Sequence, residues 1–347
     1  MRRLVVLAAC VTCGVTQTYD VTLVTQSTSD KLHLLQHICE RWRGPYARAP
    51  ASPKRFMRLA LYLNASEAAP SSEFVEDAAS ACIEAGGFSI QTYRERAVDE
   101  PYPVNVLRNL ALKSVNTSHH LVSDMDFLPS RGLRRRLLEN SRWLKYDTLA
   151  LVVPAFQRRG GNCRSVAQCM ERIAPIDKEV PLDMAGLKQC MARKKCIVFQ
   201  SDNSWDSHST TNSAVWLREE NKVRPLSCFH TNRYEPYVVV RHGPSTPPYD
   251  ERFSGYGKNK IQHVVHLRRL GFSFAVLPLE FLVHVPHPKS SAKVAWSSSY
   301  AVHKQVDGLY KRFLKELDTL PTKPTVTICP SVKRGKRGTP DDRRRRR

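Results

Sequence analysis

The feature that most constrains this chain is the alternation of strand-like and helix-like segments across residues 20–127, which ends on the acidic sequence LVSDMDF. Asp20 to Gln26 alternates and is rich in Val, Thr and Leu, as a strand requires, and Asp30 to Arg43 follows with helical apolar spacing at Leu34, Leu35 and Ile38. Arg58 to Leu63 reads as a second strand, Ser72 to Ala85 as a helix with a Ser/Glu start, and Phe88 to Tyr93 as a third strand. Pro103 to Ser118 is a strong helix pattern with Pro near its start, leading into a buried strand at His120 to Phe127. Further strands are expected at Asp147 to Phe156, Tyr237 to Arg241 and Phe272 to Leu277, with helices at Asn259 to Leu270 and Val302 to Leu317. This alternation predicts an α/β fold: a mostly parallel central sheet flanked by helices.

Residues 157–202 depart from the pattern. They are basic and hold Cys163, Cys169, Cys190 and Cys196, and read as a cysteine-rich insertion. The gaps inside CRSVAQC and CMARKKC are wider than zinc-ligand pairs, and no paired histidines follow at finger spacing, so disulfides are favoured over a zinc site, with free buried thiols as the alternative.

The ends differ in character from the body. Arg2 and Arg3 precede the apolar stretch Leu4 to Val15, which is shorter than the roughly 18 apolar residues of a spanning helix. Residues 1–18 are therefore expected to be a secretory signal or a short anchor that gives membrane association; a first strand of the domain is the alternative. The folded body is expected over 19–320 and a disordered basic tail over 321–347. The formal net charge is +22, of which Lys333 to Arg347 contribute nine Lys/Arg against two Asp. The remainder keeps 45 Lys/Arg against 30 Asp/Glu, enough to draw in an anionic ligand. A phosphorylated donor, an acidic glycan and a nucleic acid all fit that balance. Against nucleic acid stand the secretory-like start and the lack of a finger, RRM or OB signature.

In LVSDMDF one residue separates Asp124 from Asp126, so on an extended strand end both carboxylates point the same way and Met125 points away. Two convergent carboxylates at the carboxyl end of a parallel strand hold a hard divalent cation, whose shell substrate phosphates complete. FLVHVPHPKS offers His284 and His287 as a third ligand, and an imidazole suits Mn²⁺ better than Mg²⁺.

YDVTLVTQSTSDKLHLLQHICERWRGP, PYPVNVLRNLALKSVNTSHHLVSDMDFLPS, VVPAFQ, EPYVVVRH, PYDERFSGYGKNKIQHVVHLRRLGFSFAVLP and FLVHVPHP, in this order, resemble glycosyltransferase family 49. That is the family of the LARGE-like glucuronyltransferase domain and of the related β-1,4-glucuronyltransferase, and the resemblance spans about Asp20 to Leu317. It implies a GT-A fold and an inverting, Mn²⁺-dependent transfer, with Mg²⁺ as the alternative ion. The implied donor is a UDP-sugar, typically UDP-glucuronic acid, and the partner a glycan or glycoprotein acceptor rather than nucleic acid. The implied location is the lumen of the secretory pathway, the Golgi first and secretion second. Carried over by position, the resemblance makes Asp124, Asp126 and His284 the metal ligands, with His287 the weaker candidate. It also sets the helix bearing Asn105, Arg108 and Asn109 beside the donor, which Asp124 contacts as well. An Arg there forms paired hydrogen bonds to a carboxylate or phosphate, or else a structural ion pair.

An inverting step needs a base at the acceptor hydroxyl. PYDERFSGYG supplies Asp250 first and Glu251 second, the bland role for Asp250 being a salt bridge through Arg252. Lys258 and Lys260 are candidates for phosphate contact, and Trp216, Tyr237 and Tyr256 for stacking on sugar rings or for core packing. The cysteine-rich block and HSTTNSAVW depart from the family pattern, which leaves the acceptor open. A glycan-binding protein that keeps the fold without catalysis is the competing class.

Overall fold

A computed structural model describes residues 18–44, 56–97, 100–161, 163–202, 204–218 and 221–330. The apolar stretch Leu4 to Val15 and the basic run Lys333 to Arg347 lie outside them. Among the described residues no helix is long and apolar enough to cross a membrane.

The chain opens with β1 (Val21–Thr28), a 3₁₀ turn at Ser29–Leu34, α1 (Leu35–Arg43), β2 (Met57–Leu63), α2 (Ser72–Glu84), β3 (Phe88–Arg94), α3 (Val104–Leu112), β4 (His119–Val122) and β5 (Phe127–Pro129). It continues with α4 (Leu133–Glu139), α5 (Ser141–Leu144), β6 (Leu149–Val153) and β7 (Ala155–Arg158). The insertion follows as α6 (Val166–Glu171), α7 (Ile176–Glu179), α8 (Met184–Ala192) and β8 (Cys196–Val198). Then come α9 (Ser213–Trp216), β9 (Arg224–Leu226), β10 (Cys228–Phe229), β11 (Tyr237–Arg241), α10 (Ile261–Arg269), β12 (Ser273–Val276), β13 (Leu282–His284), α11 (Ser291–Ser298), α12 (Tyr300–Asp318) and β14 (Thr327–Ile328).

The main sheet has the order β3-β2-β1-β4-β11-β6-β12-β9. β3, β2, β1 and β4 run parallel, as do β6 and β12, while β11 and the edge strand β9 run against their neighbours. β1 and β2 are buried almost without a break, which suits parallel strands covered on both faces. α3 packs Leu107 and Ala111 against Val24 and Ala60 on one face, and α1 and α2 bury Leu35, Ile38, Trp42 and Ala79 in the main core. Each large apolar side chain so enclosed contributes about 1.5–3 kcal/mol. The GT-A-type expectation, a mostly parallel α/β sheet with flanking helices and a cysteine-rich insertion, describes this architecture.

Three sequence expectations change in detail. α3 ends at Leu112 rather than Ser118: the Thr117 hydroxyl donates to the His119 carbonyl and Ser118 bonds Asp20, local bonds that compete with helix. The strand expected at 120–127 stops at Val122, and Phe127 already belongs to a second sheet of order β5-β13-β7-β8. The strand expected at 147–156 divides at Pro154, which lacks a donor, so that β6 stays in the main sheet and β7 joins the second.

Cys163 bonds Cys169 and Cys190 bonds Cys196 inside the insertion, as disulfides rather than a zinc site. Cys39–Cys82 ties α1 to α2, and Cys228–Cys329 holds β10 beside β14. The last pair corrects the expected tail, because residues 321–330 are folded back onto the body.

Candidate metal centre

The loop between β4 and β5 carries both aspartates at the carboxyl end of β4, beside the end of β1. Their side chains go different ways. Asp126 Oδ2 lies 3.0 Å from His287 Nε2 and 3.9 Å from His284 Nε2, and the two imidazole nitrogens are 3.1 Å apart. Those three residues each direct one ligand atom into a space no wider than 4.8 Å. β13 delivers His284 next to Phe127 of β5, and the following turn brings His287 back over it.

Asp124 faces the other side of the loop. Its Oδ1 accepts from Arg108 at 2.8 Å and its Oδ2 from the Tyr237 hydroxyl at 2.8 Å and Lys260 at 3.0 Å. Of the three ligands expected, the structure therefore clusters Asp126 and His284, adds His287, and ties Asp124 to a cationic partner set.

The electrostatics follow from burial and these partners. Burial pushes the Asp126 carboxyl up, but it is held well below the usual carboxylate range, with the neighbouring Lys31 ammonium the largest of the opposing effects. Asp124 is likewise held low, by Lys260 and Arg108 against burial. Burial lowers His284 to about 4, so its ring is neutral at pH 7. The His287 Nδ1–H donates to the Pro288 carbonyl at 2.6 Å, since a carbonyl only accepts, so Nε2, 3.0 Å from Asp126 Oδ2, is the nitrogen available to ligate a cation. Two imidazole nitrogens and a carboxylate oxygen converge there. A divalent cation satisfies such a donor set, and two nitrogens in it favour Mn²⁺ over Mg²⁺.

The residues expected near a donor are buried and bonded to one another. Asn105 donates to the Asp250 carbonyl at 2.8 Å, Arg108 to Asn105 and Asn259, and Asn109 to the Tyr249 carbonyl and Glu251. Arg108 is 2% exposed, so it supports Asp124 from beneath the loop at 249–251. Asp250 is half-buried, with both oxygens bonded to Arg252, which also reaches Glu316. Glu251 is exposed and bonded to Asn109. Trp216 is a core residue that donates to the Leu277 carbonyl, and Tyr256 bonds Lys293.

Two residues at the centre were not anticipated. Lys31, in the turn after β1, lies 2.7 Å from Asp126 Oδ2. Glu235, just before β11, is 3.9 Å from Lys260, and burial raises its carboxyl pKa despite that cation. The signal for Lys31 was its place: in a parallel sheet the residues just past adjacent strand ends share one crevice.

A profile of the family described as "Glycosyl-transferase for dystroglycan" matches residues 51–320, a span that contains Asp124, Asp126, His284 and His287. The xylosyl- and glucuronyltransferase LARGE2 of Mus musculus is 32% identical over 304 residues, covering 87% of this chain and 39% of that protein. LARGE1 of Homo sapiens is 32% identical over 276 residues, covering 78% and 32%. The chain thus spans between 32% and 39% of the length of these relatives. Among solved structures, the mannosyltransferase PcManGT from Pyrobaculum calidifontis, in complex with GDP-Man and Mn²⁺, is 11% identical, with a TM-score of 0.44 over 89% of this chain and 67% of that one. Residues 1–349 of S. aureus TarS are 10% identical, with a TM-score of 0.40 over 76% and 60%. With the profile running over most of its length and relatives at 32% identity, the chain belongs to the family of glycosyl-transferases for dystroglycan.

Proposed function

We propose that the chain is an inverting, Mn²⁺-dependent glycosyltransferase that moves a sugar, with glucuronic acid as the first candidate, from a UDP-sugar to a glycan acceptor on a glycoprotein. The observation that carries this reading is the convergence of Asp126, His284 and His287 at the carboxyl end of β4, in a chain of this family. Four disulfides suit an oxidising compartment, so the lumen of the secretory pathway, the Golgi first, is the proposed site of action. The relatives named xylosyl- and glucuronyltransferases support glucuronic acid as the donor to try first.

Asp126, His284 and His287 would hold the ion. A bound Mn²⁺ supplies positive charge for the diphosphate that departs from the sugar. Arg108 and Lys260 fix the Asp124 carboxylate, and the Tyr237 hydroxyl completes its shell. The acceptor hydroxyl must lose its proton to a carboxylate. Asp250 and Glu251 are the carboxylates that the sequence PYDERFSGYG offers. Glu235 joins them because burial leaves it the most basic of the carboxylates near Lys260, whereas the Asp250 oxygens are occupied by Arg252.

A panel of UDP-sugars assayed for UDP release, with Mn²⁺ and with chelator, tests the proposal. Turnover is expected only with Mn²⁺, and Asp126→Ala is expected to reduce it by on the order of 10²–10³-fold. Glu235→Gln, Asp250→Asn and Glu251→Gln compared side by side locate the base. A protein that binds glycan but turns over no UDP-sugar would be a lectin of the same fold, and the proposal would fall.

A further inference from the structure

The oxygen that a cation needs at this centre is already taken by an ammonium group. Lys31 Nζ lies 2.7 Å from Asp126 Oδ2, the same oxygen that lies 3.0 Å from His287 Nε2. Lys260 differs: its Nζ sits between Asp124 Oδ2 at 3.0 Å and the Tyr237 hydroxyl at 2.7 Å, on the far side of the loop. Arg108, fully enclosed, completes the set.

Formal charges make this arrangement unstable to a lone divalent ion. Three carboxylates, Asp124, Asp126 and Glu235, face three cations, Lys31, Lys260 and Arg108, so the site is neutralised before any ion arrives. Adding two positive charges to this half-buried region leaves an uncompensated excess, which solvent screens only in part. An anion entering with the ion removes the excess, and a nucleoside diphosphate carries the needed charge. The lysine ammonium is a compact charge on a flexible four-carbon stem, and this side chain is 21% exposed, so its head has a route off Asp126.

We propose that Lys31 is a resident counter-ion: it yields Asp126 to the divalent cation and turns to the diphosphate of the nucleotide, so that cation and nucleotide bind together rather than one at a time. This rests on the glycosyltransferase reading and adds to it a residue that couples the two ligands.

Calorimetric titration of the whole chain with Mn²⁺ alone, and with UDP at saturating Mn²⁺, tests the coupling in the unsubstituted protein, Lys31→Met and Lys31→Gln. Loss of the competing ammonium should let Mn²⁺ alone bind roughly tenfold more tightly, while UDP with Mn²⁺ binds roughly tenfold more weakly, each the worth of one charge-assisted hydrogen bond. The opposite signs separate this role from a structural one, which would weaken both. Lys31→Arg, which keeps the charge, should restore most of the UDP affinity. Unchanged affinities in both neutral variants, or weakening of both ligands together, would overturn the inference and leave the glycosyltransferase reading intact. Failure of both variants to fold would make Lys31 a structural ion-pair partner and overturn it as well. Absence of Mn²⁺-dependent UDP binding in the unsubstituted protein would instead bring down the functional reading, and this inference with it.

Discussion

At the scale of single residues, the centre is held from behind by the buried Arg108. Arg108 bonds Asn105, Asn259 and Asp124 while 2% exposed, so removing its guanidinium strands a buried carboxylate and two amide oxygens. Arg108→Met is expected to lower stability by about 3–5 kcal/mol, measured by denaturant unfolding, because a buried ion loses its partner. An effect below about 1 kcal/mol would mean that Asp124 finds solvent or Lys260 enough. The sequence pointed to Asp124, Asp126 and His284 through the spacing of the acidic pair and the family blocks, and it named Arg108 with a donor contact or an ion pair as alternatives. The ion pair is what the structure contains. That Asp124 and Asp126 diverge was not legible, because the alternation rule holds on a strand and β4 ends at Val122, before either residue.

At the scale of elements, the disulfides divide into two kinds. Cys163–Cys169 and Cys190–Cys196 each close a separation of 6 residues, whereas Cys228–Cys329 closes one of 101 and pins β14 to β10. Loop-closure entropy makes the long closure worth about 4–5 kcal/mol and each short one about half of that. Cys228→Ser should therefore lower the thermal midpoint more than Cys163→Ser, and equal shifts would show that strain or residual unfolded structure dominates. Crowding of four cysteines in one segment was readable as local pairing. Cys228–Cys329 was not, since nothing in a polar, proline-containing stretch such as residues 321–330 signals a return to the body. Pattern reading also ran β6 and β7 together, because the stretch DTLALVVPAF is apolar on both sides of Pro154 and only the ladder partners tell which sheet each half joins.

At the scale of the whole molecule, buried neutral histidines set how the fold responds to acid. Burial lowers His119 to about 4 and His208 and His263 to about 3, and, with neighbouring histidines, holds His120 well below the ordinary imidazole value. Each takes up a proton in the unfolded chain below about pH 6.5 but not in the folded one. The unfolded state therefore binds more protons between those values, and stability present above pH 6.5 is lost as pH falls toward 4. Thermal midpoints should be level from pH 8 to 6.5 and then decline, and His263→Gln, which keeps a donor for the Pro247 carbonyl, should flatten the decline. A midpoint that stays level down to pH 4 would contradict this.

The two larger sheets of the body are joined at three short crossings, through residues 123–126 between β4 and β5, through Pro154 between β6 and β7, and through residues 277–281 between β12 and β13. Three bridges of covalent chain leave the layers little freedom to slide. The first carries Asp126 and the third leads into His284, so the spacing of the cradle is tied to the backbone that joins the sheets. On the function proposed, discrimination among cations of different radius would then fall to rigid framework rather than to side chains closing around the guest.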